Sequence, residues 1–245
     1  ARGWYTNRRP SIGRGKPAPV PEWLDYALWQ GPAPEQPYRD NILHYNWHWF
    51  WNWGTGESGN NGVHMLDLAR LGLQVDLPTR ITCGGARYFH QDDWETPDTM
   101  SATFDFGDKG IAWECQSCAP RGFEGATVGV NFYGENGCMA MAGSNTVIYD
   151  LNNKVVREIK SQRAGLFDFD AIHFANFLDA IREGKPLKSD IEDGQKSTAL
   201  CHLANIAWRT GHTLNFDPRA QKIVGDKTAA ALASRTYRRG WEPKV

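Results

Sequence analysis

The chain has 245 residues, 41% of them hydrophobic and 12% aromatic, which is enough for one large domain or two small ones with a substantial core and excludes disorder as the default state. Twenty-seven basic residues stand against twenty-eight acidic ones, for a formal net charge of -1, so no overall positive field is available to hold a nucleic-acid backbone. No apolar run approaches the roughly 20 residues of a membrane-spanning helix, and the five cysteines, an odd number in a chain too long to need disulfide staples, read as reduced thiols.

Residues 1–40 hold more than half of the thirteen prolines. They predict an extended arm with little regular structure, which Trp4, Trp23 and Trp29 press against a surface. The arm opens on "ARGWYTNRRP", with neither an initiator Met nor a signal-peptide core, which reads as a processed or truncated product. The expected location is the cytoplasm, or the periplasm if an upstream segment carried a signal.

The stretch "NWHWFWNW" then places Trp47, Trp49, Trp51 and Trp53 at strict period two. That spacing predicts a strand with four indoles on one face and Asn46, His48, Phe50 and Asn52 on the other. Such a strand either fills core area or lines a pocket whose indole faces pack on a sugar. It runs into "GTGESGNNG", whose glycines let the backbone turn tightly and approach a ligand.

The next segment, "GVHMLDLARLG", sets His64, Asp67, Leu68 and Leu71 on one helical face, with Asn60 and Asn61 as candidate N-caps and Gly72 as the stop. In the first turn of that helix the positive dipole end disfavours imidazolium, so His64 is expected to stay neutral and able to accept a proton.

From about 78 to 160 the pattern is that of strands punctuated by "GDKG", "GENG" and "LNNK", hence hairpins and a largely antiparallel sheet. Two helices follow, "FDAIHFANFLDAIREG" and "DGQKSTALCHLANIAWRTG", with a short final helix in the tail. This order defines an α+β domain: an open, predominantly antiparallel sheet with helices packed on one face. No strand, G-x-G-x-x-G and helix follow one another as dinucleotide binding requires. Cys115 and Cys118 have C-x-x-C spacing but no second pair and no helix start, so neither a metal nor a redox role is expected. For His44, His90, His173, His202 and His212 the structural reading is favoured, and Asp92, Asp93 and Glu95 read as a solvated loop.

The block "WHWFWNWGTGESGNNGVHMLDLARLGL", with "NFYGENGCMAM" and "HFANFLDAIREGKPLKSDIEDGQKSTALCHLANIAWRTGHTLNFDP", resembles the C-terminal domain of the Gfo/Idh/MocA oxidoreductases over nearly the whole chain. The resemblance implies a substrate-binding and oligomerisation domain over 41–245, behind the arm of 1–40, in an enzyme that uses NAD or NADP to oxidise or reduce a sugar or polyol. It places the proton-transferring His on His64 and the downstream Asp on Asp67. The family's Asp four residues before that His falls on Asn60, a departure, because an amide can position a hydroxyl but cannot serve as a carboxylate partner.

Asn60, Asn61, His48 and Glu57 are then candidates for hydrogen bonds to substrate, and Trp47, Trp49 and Trp51 for stacking on a pyranose. Arg8 and Arg9 read as solvated or as partners of an anion. The Rossmann domain that holds the cofactor is absent from these residues, so no nicotinamide nucleotide is expected to bind tightly to this chain alone; that half is expected as a separate or missing domain. A homo-oligomer through the sheet face is the expected assembly. The rival reading is a non-catalytic carbohydrate-binding or dimerisation module that has lost its nucleotide-binding half.

Overall fold

A computed structural model describes residues 1–160 and 166–244; of the predicted 41–245 unit, 161–165 and Val245 lie outside the described residues. The predicted hairpins form where the turn signals stand. β3 (Thr99–Asp105) pairs with β4 (Gly110–Gln116), β5 (Val128–Gly134) with β6 (Gly137–Ala142), and β7 (Asn145–Tyr149) with β8 (Val155–Lys160), all antiparallel. In the first of these, Phe106 N–H donates to the Lys109 carbonyl at 2.9 Å and closes the "GDKG" turn.

With β1 (Arg2–Thr6), β2 (Arg80–Ala86), β9 (Leu214–Asp217) and β10 (Lys222–Val224), the strands join in one 10-stranded sheet of order β10-β9-β2-β3-β4-β1-β5-β6-β7-β8. The fold is the predicted α+β class, an open and mostly antiparallel sheet. It departs from expectation at the N-terminus, because the first residues of the arm are a strand in the middle of the sheet. β1 runs parallel to β4 and antiparallel to β5. Only five residues long, it offered no period-two run long enough to read.

The helices are α1 (Tyr26–Gln30), α2 (Val63–Leu73), α3 (Leu166–Glu183), α4 (Ile191–Thr210) and α5 (Lys227–Ala231). Helix α2 crosses β1, β4 and β5, and α4 crosses β2 and β3 while packing on α2. Beneath them the strands alternate as a half-covered sheet must. Met100, Ala102 and Phe104 of β3 and Ile111, Trp113 and Cys115 of β4 are buried, with Leu66, Leu200 and Ala204 above them. Each fully buried Leu or Phe contributes about 1.5–3 kcal/mol. The opposite face is covered locally by a turn at Phe123–Gly125, where the buried Trp4 donates its indole N–H to the Ala126 carbonyl at 3.0 Å.

The face predicted for α2 is not the buried one. Leu71 is 66% exposed and Leu68 36%, whereas Leu66, Ala69 and Arg70 are buried. A charged residue inside the inward stripe hid it from a count of apolar positions. Arg70 is tolerated there because it donates to Ser197 Oγ at 3.0 Å and to the Val75 carbonyl at 3.2 Å, and pairs with Asp193 on α4.

The rest of the arm is largely irregular apart from α1, and the supposedly solvated acidic loop ties it down. Asp92 accepts from Ser11 Oγ at 2.6 Å and Ile12 N–H at 2.8 Å while paired with Arg87 at 2.5 Å. Asp93 accepts from Gly15 N–H at 2.8 Å and Asn41 Nδ2 at 3.0 Å and pairs with Arg39 at 2.9 Å. Burial would raise the Asp92 carboxyl pKa, but the Ser11, Ile12 and Trp94 donors and the Arg87 charge outweigh it and hold it below the usual aspartate value. The tail contributes the predicted short helix, α5, whose N-cap Asp226 accepts from Ala229 N–H at 2.9 Å and also contacts His212 Nδ1 at 2.6 Å. Among the described residues no helix is long and apolar enough to cross a membrane.

Candidate active site

No side-chain cap opens α2. Glu57 is already helical, and Ser58–Gly62 form a π-helical turn that runs straight into Val63. His64 therefore lies well inside a continuous helical segment, and the N-terminal dipole field invoked from sequence falls off before reaching it. The candidate caps Asn60 and Asn61 are interior residues of the π turn. Such turns are rare and cluster at functional sites.

Two glycines allow the turn to lie where it does. Gly56 has φ of +63°, and a Cβ there would stand 2.7 Å from Thr96, while a Cβ on Gly62 would stand 3.0 Å from the Trp113 ring of β4. At both positions the missing side chain makes room for protein, not for a ligand.

Beneath the turn is a buried ion pair. Glu57 is 1% exposed, accepts from Arg9 Nε at 2.7 Å and from Asn61 Nδ2 at 2.6 Å, and lies 3.4 Å from Asn60 Nδ2. Arg9 also donates to the Tyr45 hydroxyl at 3.0 Å and to the Tyr5 hydroxyl at 3.4 Å, and its guanidinium carbon lies 5.4 Å from the Trp49 ring centroid. Burial disfavours the guanidinium charge, but Glu57 and the two tyrosines outweigh that and keep it charged. Arg9 is thus neither a free anion ligand nor solvated, whereas Arg8 is exposed. Above this base His64 is exposed and makes no hydrogen bond among the described residues.

The tryptophan stretch is not a strand. Asn46–Trp49 form a 3-10 turn, and Phe50 N–H donates to the Trp47 carbonyl at 3.2 Å and Trp53 N–H to the Phe50 carbonyl at 3.1 Å. Beyond these turns, the Trp49 carbonyl accepts from Glu95 N–H at 2.9 Å and Trp51 N–H donates to the Glu95 carboxylate at 2.7 Å, with no neighbouring strand, so period-two alternation does not apply. The indoles scatter accordingly. Trp49 is 2% exposed and stacked 3.8 Å from Trp94, so it is core. Trp47 is partly exposed and stacks on His48 at 3.9 Å, and His48 in turn lies 4.4 Å from Tyr45. Trp51 faces Trp208 at 6.0 Å with Arg209 over its ring at 4.9 Å. Trp53 faces Trp29 at 5.2 Å.

Arg9, Glu57, Asn60 and Asn61 are thus brought together, and His48 and Trp47 continue the cluster through Tyr45, while His64 follows on the same helical segment as the second residue of α2. Trp51 and Asp67 stand apart from it. Asp67 accepts from Ser197 Oγ at 2.5 Å and so serves the contact between α2 and α4. Sequence reasoning missed Tyr5, Tyr45 and Trp94, as well as the pairing of Arg9 with a carboxylate 48 residues away; nothing local signals a contact of that span. Among the described residues no group of His, Cys, Asp and Glu is arranged to hold a metal ion. Cys115 is buried in β4 and all five thiols are free.

The parallel pair β1 and β4 is not a strand, helix, strand unit, and the glycines before α2 are filled by Thr96 and Trp113. These residues do not form a dinucleotide cradle.

An open, mostly antiparallel sheet carrying α2 and α4 on one face, with a glycine-rich π turn leading into α2, defines an α+β domain. The model of the oxidoreductase family C-terminal alpha/beta domain of the Gfo/Idh/MocA proteins matches residues 11–114 and 124–243, and the chain belongs to this family. No curated protein matches the chain. Its fold is similar to that of a candidate NADPH-dependent oxidoreductase from Desulfitobacterium hafniense (TM-score 0.59, 14% identity, 90% of this chain and 56% of that one). It is similar as well to a candidate oxidoreductase, yvaA, from Bacillus subtilis (TM-score 0.57, 13% identity, 88% of this chain and 57% of that one). A third similar structure is an oxidoreductase from Agrobacterium radiobacter in complex with NAD+, L-tartaric acid and magnesium (TM-score 0.51, 13% identity, 87% of this chain and 55% of that one). The chain spans little more than half the length of each.

Proposed function

We propose that this chain is the substrate-binding and catalytic half of an NAD(P)-dependent oxidoreductase acting on a sugar or polyol, with His64 as general acid and base. The observation that carries the reading is the contrast within one turn. Glu57, Asn60 and Asn61 are locked from below by Arg9, while His64 is exposed and unpartnered among the described residues. Family membership and the NAD+ and L-tartaric acid bound by the Agrobacterium protein support it.

In this reading His64 removes the proton from a substrate hydroxyl during oxidation and returns it during reduction. Because the carboxamides of Asn60 and Asn61 point donors at Glu57, their carbonyl oxygens are the groups left to receive a substrate hydroxyl. The nicotinamide would be held by residues other than these, and micromolar NADH binding to this chain alone would contradict that division. The predicted homo-oligomer belongs to the same proposal, and Val156 and Ile159 of β8 remain exposed for it.

Histidine ring spectra test the site assignment. Added polyol is expected to shift the His64 ring signals and leave those of His212, which is paired with Asp226, in place. Binding that leaves His64 unmoved would favour the rival, a non-catalytic carbohydrate-binding or dimerisation module.

A further inference from the structure

Away from the π turn, three segments distant in sequence converge on a cavity of about 280 Å³ lined by Trp29, Gln30, Pro32, Trp47, Trp53 and Arg235. No residue of 57–64 lines it. Its walls are tied in place: Asn52 Nδ2 donates to the Pro34 carbonyl at 2.9 Å, and Arg238 donates from its backbone to the Pro32 carbonyl at 3.0 Å and from Nη2 to the Ala27 carbonyl at 2.8 Å. Trp29 and Trp53 meet at 59°, forming a corner instead of closing on each other, and Trp47 is backed by His48.

Three features state what would fit. Indole faces in a corner suit a rigid ring with apolar C–H surfaces. Arg235 donates from Nη2 to the Asn52 carbonyl at 3.1 Å but makes no ion pair among the described residues, so the rest of its donor fork is available to a carboxylate. The volume lies at the bottom of the roughly 300–1,000 Å³ typical of ligand sites, which suits one sugar ring and is too small for a dinucleotide.

We propose that this cavity binds a hexopyranose carrying a carboxylate, its ring against Trp47 and Trp53 and its carboxylate on Arg235. The proposal does not depend on the His64 reading, although Trp47 borders both.

The test is a tryptophan-fluorescence titration of the chain with methyl β-D-glucuronide, with methyl β-D-glucoside as the neutral control. The glucuronide is expected to bind saturably and about tenfold or more tighter than the glucoside. Arg235→Gln should abolish that difference, Trp53→Phe should weaken both ligands, and His64→Ala should change neither. Absence of saturable binding, equal affinity for the two glycosides, or glucuronide binding indifferent to Arg235→Gln each overturn the proposal while leaving the His64 reading intact. Arg235 is exposed, so its variant carries the test even if Trp53→Phe fails to fold.

Discussion

Arg9 Nε donates to Glu57 Oε1 across 2.7 Å, joining a residue just past the first strand to the buried carboxylate under the π turn. The pair fixes Asn60 and Asn61 from below, so the N-terminal segment is part of the candidate site and not a wrapping around it. Removing Arg9 leaves the buried Glu57 carboxylate uncompensated, whereas removing Glu57 leaves a guanidinium that still reaches solvent. Arg9→Met is expected to destabilise the fold by about 3–5 kcal/mol and Glu57→Gln by less, with the double variant losing less than the sum. Urea unfolding of the four proteins checks this, and strict additivity would show that the pair is not coupled.

The tryptophans of one short stretch should respond very differently to truncation. Trp49→Ala removes an indole stacked in the core and should cost about 3–5 kcal/mol, while Trp47→Ala, at a partly exposed position, should cost far less. Comparable losses at the two positions, measured by thermal or urea unfolding, would mean that Trp47 is also structural.

Acid should loosen the arm through Asp92. Its folded pKa is depressed, so the ionised form contributes stability that is fully present above the unfolded value of about 3.9 and is lost as pH falls through the lower folded value. Asp92→Asn should therefore be less stable at neutral pH and show a shallower loss between about pH 6 and about pH 2. Parallel pH profiles for the two proteins would remove Asp92 from the acid response.

Thiol labelling should divide the cysteines. Burial pushes the Cys83 and Cys201 thiols up to about 12 and Cys115 well above its usual value. A thiol reagent at mildly alkaline pH should label Cys118 and Cys138 first and reach the other three only on unfolding. Rapid labelling of Cys115 in the native protein would revive a redox role for the C-x-x-C pair.

The hairpins were legible because their turns are local and their strands alternate. Helices α3 and α4 were legible because stops such as Gly184 and Gly211 lie next to the residues they end. What escaped depends on partners far away in the chain. Strand β1 exists because β4 and β5 flank it, and Arg70 is buried because α4 brings Asp193 and Ser197 to it. The aromatic run read as a strand because spacing alone cannot reveal that no neighbouring strand is there to pair with it. At the candidate site, His64, Asn60 and Asn61 were named from local pattern and family resemblance, while the pairing of Arg9 with Glu57 beneath the asparagines spans 48 residues and leaves no local signal.

The most direct test of the account is the turnover number, with His64 intact and replaced by Ala, of the proposed enzyme in which this chain would work with a nucleotide-binding domain. The account predicts that His64→Ala lowers kcat by about 10² to 10⁴ for any sugar or polyol that the wild type oxidises. An unchanged kcat would contradict the proposed role of His64.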